Sequence, residues 1–326
     1  MDNQAGSKWK PFFVTTLLLL AASLSNAQTN IERELAAVVD GMVLNYYKPA
    51  VVTAFGSFTY GYTGLGSSYS RYLEDILTRA ISQCHKVTLF ARHAVSNMDP
   101  SFKELYSDYF KTTGVEGLLY GTFFEEGKDV RVRLEMTSLT IGEVIGTAEV
   151  TIPKSLIPAG VTITPPGLTQ ASDLRNEIEH LLGSSAGNLV VKVTTSRGEG
   201  GVYKDGERMV VYVFVNQDAY IKVYHIDVNG RLALIFPNKF YSHNRIQGGE
   251  FVQIPGADHP FQFVLHAPFG TEFIKAAAAL SQFEDIEVSF SELGPAGKAT
   301  LSRGMSVMEA SADRAEALAA YSIVAP

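Results

Sequence analysis

The chain has 326 residues, of which 46% are hydrophobic, 11% aromatic and 19% charged, with a formal net charge of −7 and one cysteine. At about 100–200 residues per domain this length accommodates two domains with ordinary cores, and the apolar content excludes a disordered chain. The single cysteine excludes a disulfide framework, and an excess of 34 acidic over 27 basic residues provides no general attraction to nucleic acid.

In chain order, residues 1–27 come first. Lys8 and Lys10 precede an apolar run from Phe12 to Ala22, and Ser25-Asn26-Ala27 closes it. This is the basic region, short apolar region and small-residue cleavage site of a secretory signal. The run falls short of the roughly 20 apolar residues of a transmembrane helix, which makes an uncleaved anchor the weaker alternative. No cysteine stands near the cleavage site to carry a lipid. Cleavage would remove Lys8, Lys10 and Asp2 and take the net charge from −7 to −8. No later stretch is apolar enough to span a bilayer, so the mature chain is expected in the periplasm or associated with the cell envelope. In that oxidising space the lone Cys84 is expected to be buried and inert.

Val51 to Phe58 reads as a strand leaving a core through a loop dotted with Gly61, Gly64 and Gly66. Tyr69, Tyr72, Leu73, Ile76, Leu77, Ala80 and Ile81 then recur at helical spacing, with Ser67 or Ser68 as cap. A short strand at Val87–Phe90 and a helix near Ser101 to Thr112 follow. The next strands are Val115 to Phe124, Val130 to Leu139 and Val144 to Ile152, the last two joined around Ile141-Gly142-Glu143. The glycine loop invites a phosphate-binding reading, but its spacing is neither the dinucleotide fingerprint nor a P-loop, and a plain connection is preferred. Tyr60, Tyr62 and Tyr69 around this loop are expected to be exposed and to anchor a protein partner, against the ordinary reading of aromatics as core.

Ser155 to Gly167 is rich in proline and glycine and marks a linker, followed by a short helix from Ser172 to Leu182 capped by Ser172 or Asp173. Gly183-Ser184-Ser185-Ala186-Gly187 matches the nucleophile motif of the α/β-hydrolases in letters. That motif requires a strand before the serine and a helix after it, and here the order is reversed. A serine hydrolase using Ser185 is therefore kept only as the alternative function. Glu177, Glu179 and His180 lack the spacing of a zinc helix, and His225, within a strand, reads as a packed or surface residue rather than a base.

From residue 199 onward the pattern is all-β. Met209 to Val215, Ala219 to Ile226, Arg231 to Phe236, Phe251 to Ile254 and Phe261 to His266 are short strands separated by turns, and Asn229-Gly230 is a specific hairpin signal. Glu272 to Leu280 is strand or helix by periodicity. Leu318 to Val324 is expected to close the sandwich as its last strand, although it could also pair between chains in a homo-oligomer. Asp205, Asp218 and Asp227 sit at turns, where bonding to local backbone accounts for them better than calcium does. The plan is a signal segment at 1–27, an α/β sheet-and-helix domain at 28–154, a linker with a short helix at 155–198 and an antiparallel sandwich at 199–326. The fold class is α+β overall, with no cofactor and no metal expected.

Two stretches resemble known families. The strand with Ala54-Phe55, the run from Leu65 to Leu77 and Gly117-Leu118-Leu119-Tyr120-Gly121-Thr122-Phe123 resemble the FlgO- and CsgG-like envelope domains, related to the amino-terminal domain of TolB and to the LpoB-type activators of peptidoglycan synthases. That resemblance covers Ile31 to Pro153. It implies a cell-envelope component that binds other proteins without catalysis, in a flagellar or peptidoglycan-synthesis setting; the lipobox cysteine of several such relatives is missing. Val202 to Glu207, Asp218-Ala219-Tyr220, Asp227 to Gly230, Leu234 to Asn238, Asn244-Arg245-Ile246, Gly249-Glu250 and Gly270-Thr271-Glu272 resemble the DUF4384 family. This second resemblance implies an immunoglobulin-like sandwich in exported bacterial proteins and supplies no catalytic residue. The expected function is a non-enzymatic adaptor whose partners are other envelope proteins, not nucleic acid.

Overall fold

A computed structural model describes residues 29–90, 114–139, 142–182, 187–283 and 313–325. The expected signal segment at 1–27, the helix expected near 101–112 and Ser185 lie outside the described residues.

The chain opens with helix α1 at 29–42, which the sequence reading had not assigned. Ile31, Leu35, Ala36, Val39 and Met42 form its buried stripe, a helical repeat that packs on a sheet. Strand β1 (Val51–Tyr60) follows, then helix α2 (Ser68–Ile81), whose cap is Ser67. The Ser67 hydroxyl accepts from the Tyr69 amide, and Ser70 returns a bond to the Ser67 amide, a reciprocal cap that satisfies two orphan donors. Strands β2 (Val87–Leu89), β3 (Gly117–Glu126), β4 (Asp129–Ser138) and β5 (Val144–Pro153) complete a five-stranded sheet in the order β2-β1-β3-β4-β5. β1 runs parallel to β2 and β3, and the rest is an antiparallel meander. Helices α1 and α2 cover one face over a core that includes Leu35, Phe55, Leu73, Ile76, Phe123 and Leu134.

The expected linker is not a free spacer. Ile157, Val161 and Ile163 lie against the first core, and the Thr162 carbonyl accepts from the Tyr69 amide at 3.1 Å. Helix α3 begins at Leu168 and runs to Leu181, four residues earlier than expected, with Gly167 in a left-handed conformation as cap and no side-chain capping bond. Because that cap carries no side-chain signal, Ser172 and Asp173, inside the helix, were the more visible candidates.

The sandwich uses β6 (Val191–Thr195), β7 (Gly201–Lys204), β8 (Arg208–Met209), β9 (Val211–Val215), β10 (Ala219–Ile226), β11 (Leu232–Phe236), β12 (Arg245–Ile246), β13 (Phe251–Ile254), β14 (Phe263–Val264), β15 (Gly270–Ala279) and β16 (Arg314–Val324). One sheet has the order β11-β10-β15-β16-β7 with β12 beside β10; the facing sheet is β13-β9-β6, and β8 pairs with β14. Val193, Val211 and Val213 of the small sheet meet Ile221, Val223, Ile274 and Ala319 of the large one. All pairs are antiparallel except β16 with β7, where the last strand runs parallel to the first strand of its sheet. Leu318 to Val324 thus lies in the closing strand, as expected, and Glu272 to Leu280 falls largely in β15. That strand is buried on both faces, which removes the alternation that would have marked it. Among the described residues no helix is long and apolar enough to cross a membrane.

Candidate functional site

The glycine loop is where the helix-covered sheet meets the sandwich. A Cβ built on Gly66 would stand 2.1 Å from the Gly200 carbonyl oxygen, and one on Gly200 would stand 2.4 Å from that of Gly64. Backbone meets backbone there, so only glycine fits. Ser322 of β16 donates to the Gly66 carbonyl at 3.0 Å, and Arg175 of α3 donates to the Thr63 carbonyl at 3.1 Å. Arg175 also pairs with Glu199 at 2.9 Å. The loop from Thr63 to Gly66 is thus packed against α3 and the sandwich, which accounts for Gly64 and Gly66 without a ligand.

A charged seam extends this joint. Arg71 of α2 bonds Glu207 at 2.6 Å and donates to the Val202 carbonyl, while Arg197 lies 3.9 Å from Glu74 and 3.6 Å from Glu207. Burial works to raise the Glu207 pKa, but the Arg71 hydrogen bond, the Lys204 amide and the Arg197 charge outweigh it and hold the carboxyl below its usual range. Apolar contacts finish the seal. Phe214 and Phe251 of the small sheet pack on Ala54, Val52 and Leu118, on the face of the five-stranded sheet opposite its helices. Leu65 joins Ala171, Ile178, Phe273 and Ala320 beneath α3.

The three tyrosines fare differently. Tyr62 is 82% exposed, at an edge-to-face distance of 5.5 Å from Phe124. Tyr60 is half-buried against Phe123, and its backbone pairs with Leu65. Tyr69 is fully buried between Tyr72 and Phe123. The expectation that Tyr69 is exposed is therefore corrected: it opens α2 on the face that meets the sheet.

A second site went unread in the sequence. His225, Glu272 and Tyr321 come from β10, β15 and β16 and share the core-facing side of the large sheet. Tyr321 donates to Glu272 Oε2 at 2.5 Å, and His225 Nε2 lies 2.8 Å from the same oxygen. The Glu272 side chain is only 4% exposed and that of His225 is 29% exposed. Burial, then the Glu272 charge, pushes the Tyr321 hydroxyl well above its ordinary pKa, so it stays protonated and donates. The cluster lines an open cavity of about 400 Å³ whose other walls include Met209, Phe263 and Val264 of the β8–β14 pair and the segment 262–268. The signal for it was a carboxylate, Glu272, inside a run that is apolar apart from Thr271 and Lys275; the partners lie 47 and 49 residues away, and only register brings them together.

Among the described residues no three His, Cys, Asp or Glu side chains converge as a metal site. Asp227 accepts from the amides of Asn229 and Arg231, Asp218 from that of Gly248, and Asp205 faces His266 at 3.3 Å. Local backbone bonding thus accounts for Asp227, whereas the partners of Asp218 and Asp205 lie 30 and 61 residues away.

The comparisons bear on the sandwich. Residues 202–282 match the family described as Domain of unknown function (DUF4384). The DUF4384 match begins in β7 and ends just beyond β15, so β6, an edge of the small sheet, and β16, which lies between β15 and β7 in the large one, are outside it. No curated protein matches the chain. Solved structures similar to it include the LpoB C-terminal domain from Salmonella enterica (12% identity over 36% of this chain and 95% of that one, TM-score 0.27). Lipoprotein GNA1162 from Neisseria meningitidis is 11% identical over 40% of this chain and 96% of that one, with a TM-score of 0.24. TolB from Acinetobacter baumannii is 9% identical over 77% of this chain and 62% of that one, again with a TM-score of 0.24.

Proposed function

We propose that this chain is an exported, non-enzymatic protein of the cell envelope that serves as an adaptor between other envelope proteins. The observation that carries the reading is the joint at Gly66 and Gly200, where the loop best placed to cradle a ligand is instead closed by the second domain. A two-domain body fixed in this way holds its outer surfaces at constant spacing, which suits a scaffold better than an enzyme that closes on a substrate. The leader-like residues 1–27 supply the route to the envelope. Flagellar and peptidoglycan-synthesis assemblies are the settings favoured by the amino-terminal resemblance. On the adaptor, Tyr62 is the partner anchor: a large ring in solvent beside Phe124 is the kind of residue that dominates binding energy.

Fractionation of cells producing a carboxy-terminally tagged chain tests export: the account expects a processed form beginning at Gln28 in the periplasmic or envelope fraction. Unprocessed protein confined to the cytoplasm would contradict it. Tyr62→Ala should reduce site-specific cross-linking to envelope proteins while the melting temperature stays within about 1–2 °C, since a surface change costs little. Unchanged cross-linking removes Tyr62 from the interface.

A further inference from the structure

We propose that the cavity over His225, Glu272 and Tyr321 binds a small organic cation, a primary ammonium group carried on an apolar body. Among the described residues no lysine or arginine lines this cavity; Glu272 and Asp227 line it beside His225 and His266, and the two carboxylates disfavour anions. Glu272 is nearly fully buried and both of its donors, Tyr321 and His225, bond to Oε2. Oε1 accepts no hydrogen bond from the described residues and is not sealed from the cavity, and a carboxylate oxygen bonds a charged N–H donor more strongly than a neutral one. Ile235, Phe263, Leu265, Ile274 and Ile323 supply apolar walls, and the volume of about 400 Å³ falls within the range of sites for compact organic ligands. A metal ion is a poor fit, because no third ligating side chain joins His225 and Glu272 among the described residues. This proposal does not depend on the adaptor reading and holds or falls separately.

Titration calorimetry of the purified protein with phenethylammonium, phenethyl alcohol and 3-phenylpropanoate decides it. The ammonium probe should bind at about millimolar concentration or below, the alcohol about tenfold more weakly, and the carboxylate not measurably. Glu272→Gln should weaken ammonium binding by about tenfold or more. Should that variant fail to fold, Val264→Trp supplies the second test: Val264 is exposed at the mouth of the cavity, and filling the mouth should abolish binding while the thermal transition is retained. Binding of the carboxylate as tightly as the ammonium, no binding of the ammonium, or ammonium binding that survives Val264→Trp unchanged would overturn the proposal.

Discussion

Tyr69 illustrates how burial overrides the apparent accessibility of a residue beside a loop. Its ring lies 4.8 Å from that of Phe123, and its hydroxyl is buried without a hydrogen-bond partner among the described residues. An unsatisfied buried hydroxyl costs free energy whereas the ring contributes packing, so Tyr69→Phe should be neutral or stabilising by up to about 1 kcal/mol in urea denaturation. A loss of stability would reveal a partner for the hydroxyl. Cys84 follows the same logic with a reactive group. The expectation of a buried thiol is met only in part, since Cys84 is half-buried; even so, burial and then the Asp40 charge push its pKa from 9.0 up to about 12. Iodoacetamide labelling at about pH 8 should be two to three orders of magnitude slower in the native than in the unfolded chain, because the thiolate is the nucleophile. Comparable rates would refute the shielding.

At the scale of elements, legibility tracked how one-sided each element is. β3, β4 and β5 were readable as runs of β-prone residues, and the Asn229-Gly230 turn was readable because Gly230 adopts a positive φ of 77° between paired β10 and β11. Ser67 was readable as a cap because its side chain does the capping. β15 was not readable: with Ala276 to Ala279 buried on both faces, helix-favouring alanines sit in a strand for reasons of packing alone. The cluster of His225, Glu272 and Tyr321 depends on the pairing of Glu272 with Tyr321 and of His225 with Ile274, which places the histidine diagonally across from the glutamate. Register is a tertiary property, and no local pattern encodes it. Across the seam, Glu207 carries a pH dependence whose sign is fixed by its lowered pKa. Its ionised form stabilises the fold fully above the ordinary value of 4.5, and that contribution disappears as the pH falls through the lower folded value. Glu207→Gln should therefore flatten the loss of thermal stability between about pH 5 and 3, and an unchanged acid profile would assign that loss to other carboxylates.

For the whole molecule, the five-stranded sheet is covered by helices on one side and by the small sheet of the sandwich on the other, through Ala54, Leu118, Phe214 and Phe251. Composition and periodicity suggested two domains but could not show that they are sealed together, because the seal is made of glycines, scattered ionic partners and apolar side chains drawn from both halves. Differential scanning calorimetry of Gly66→Ala against the parent protein is the most direct test of this account. The backbone carbonyl of Gly200 cannot yield to a Cβ at 2.1 Å, so the substitution should cost about 3 kcal/mol or more. The account predicts one cooperative transition for the parent and, for the variant, a transition that splits or broadens as the domains uncouple. Two independent transitions in the parent, or an unchanged single transition in the variant, would contradict it.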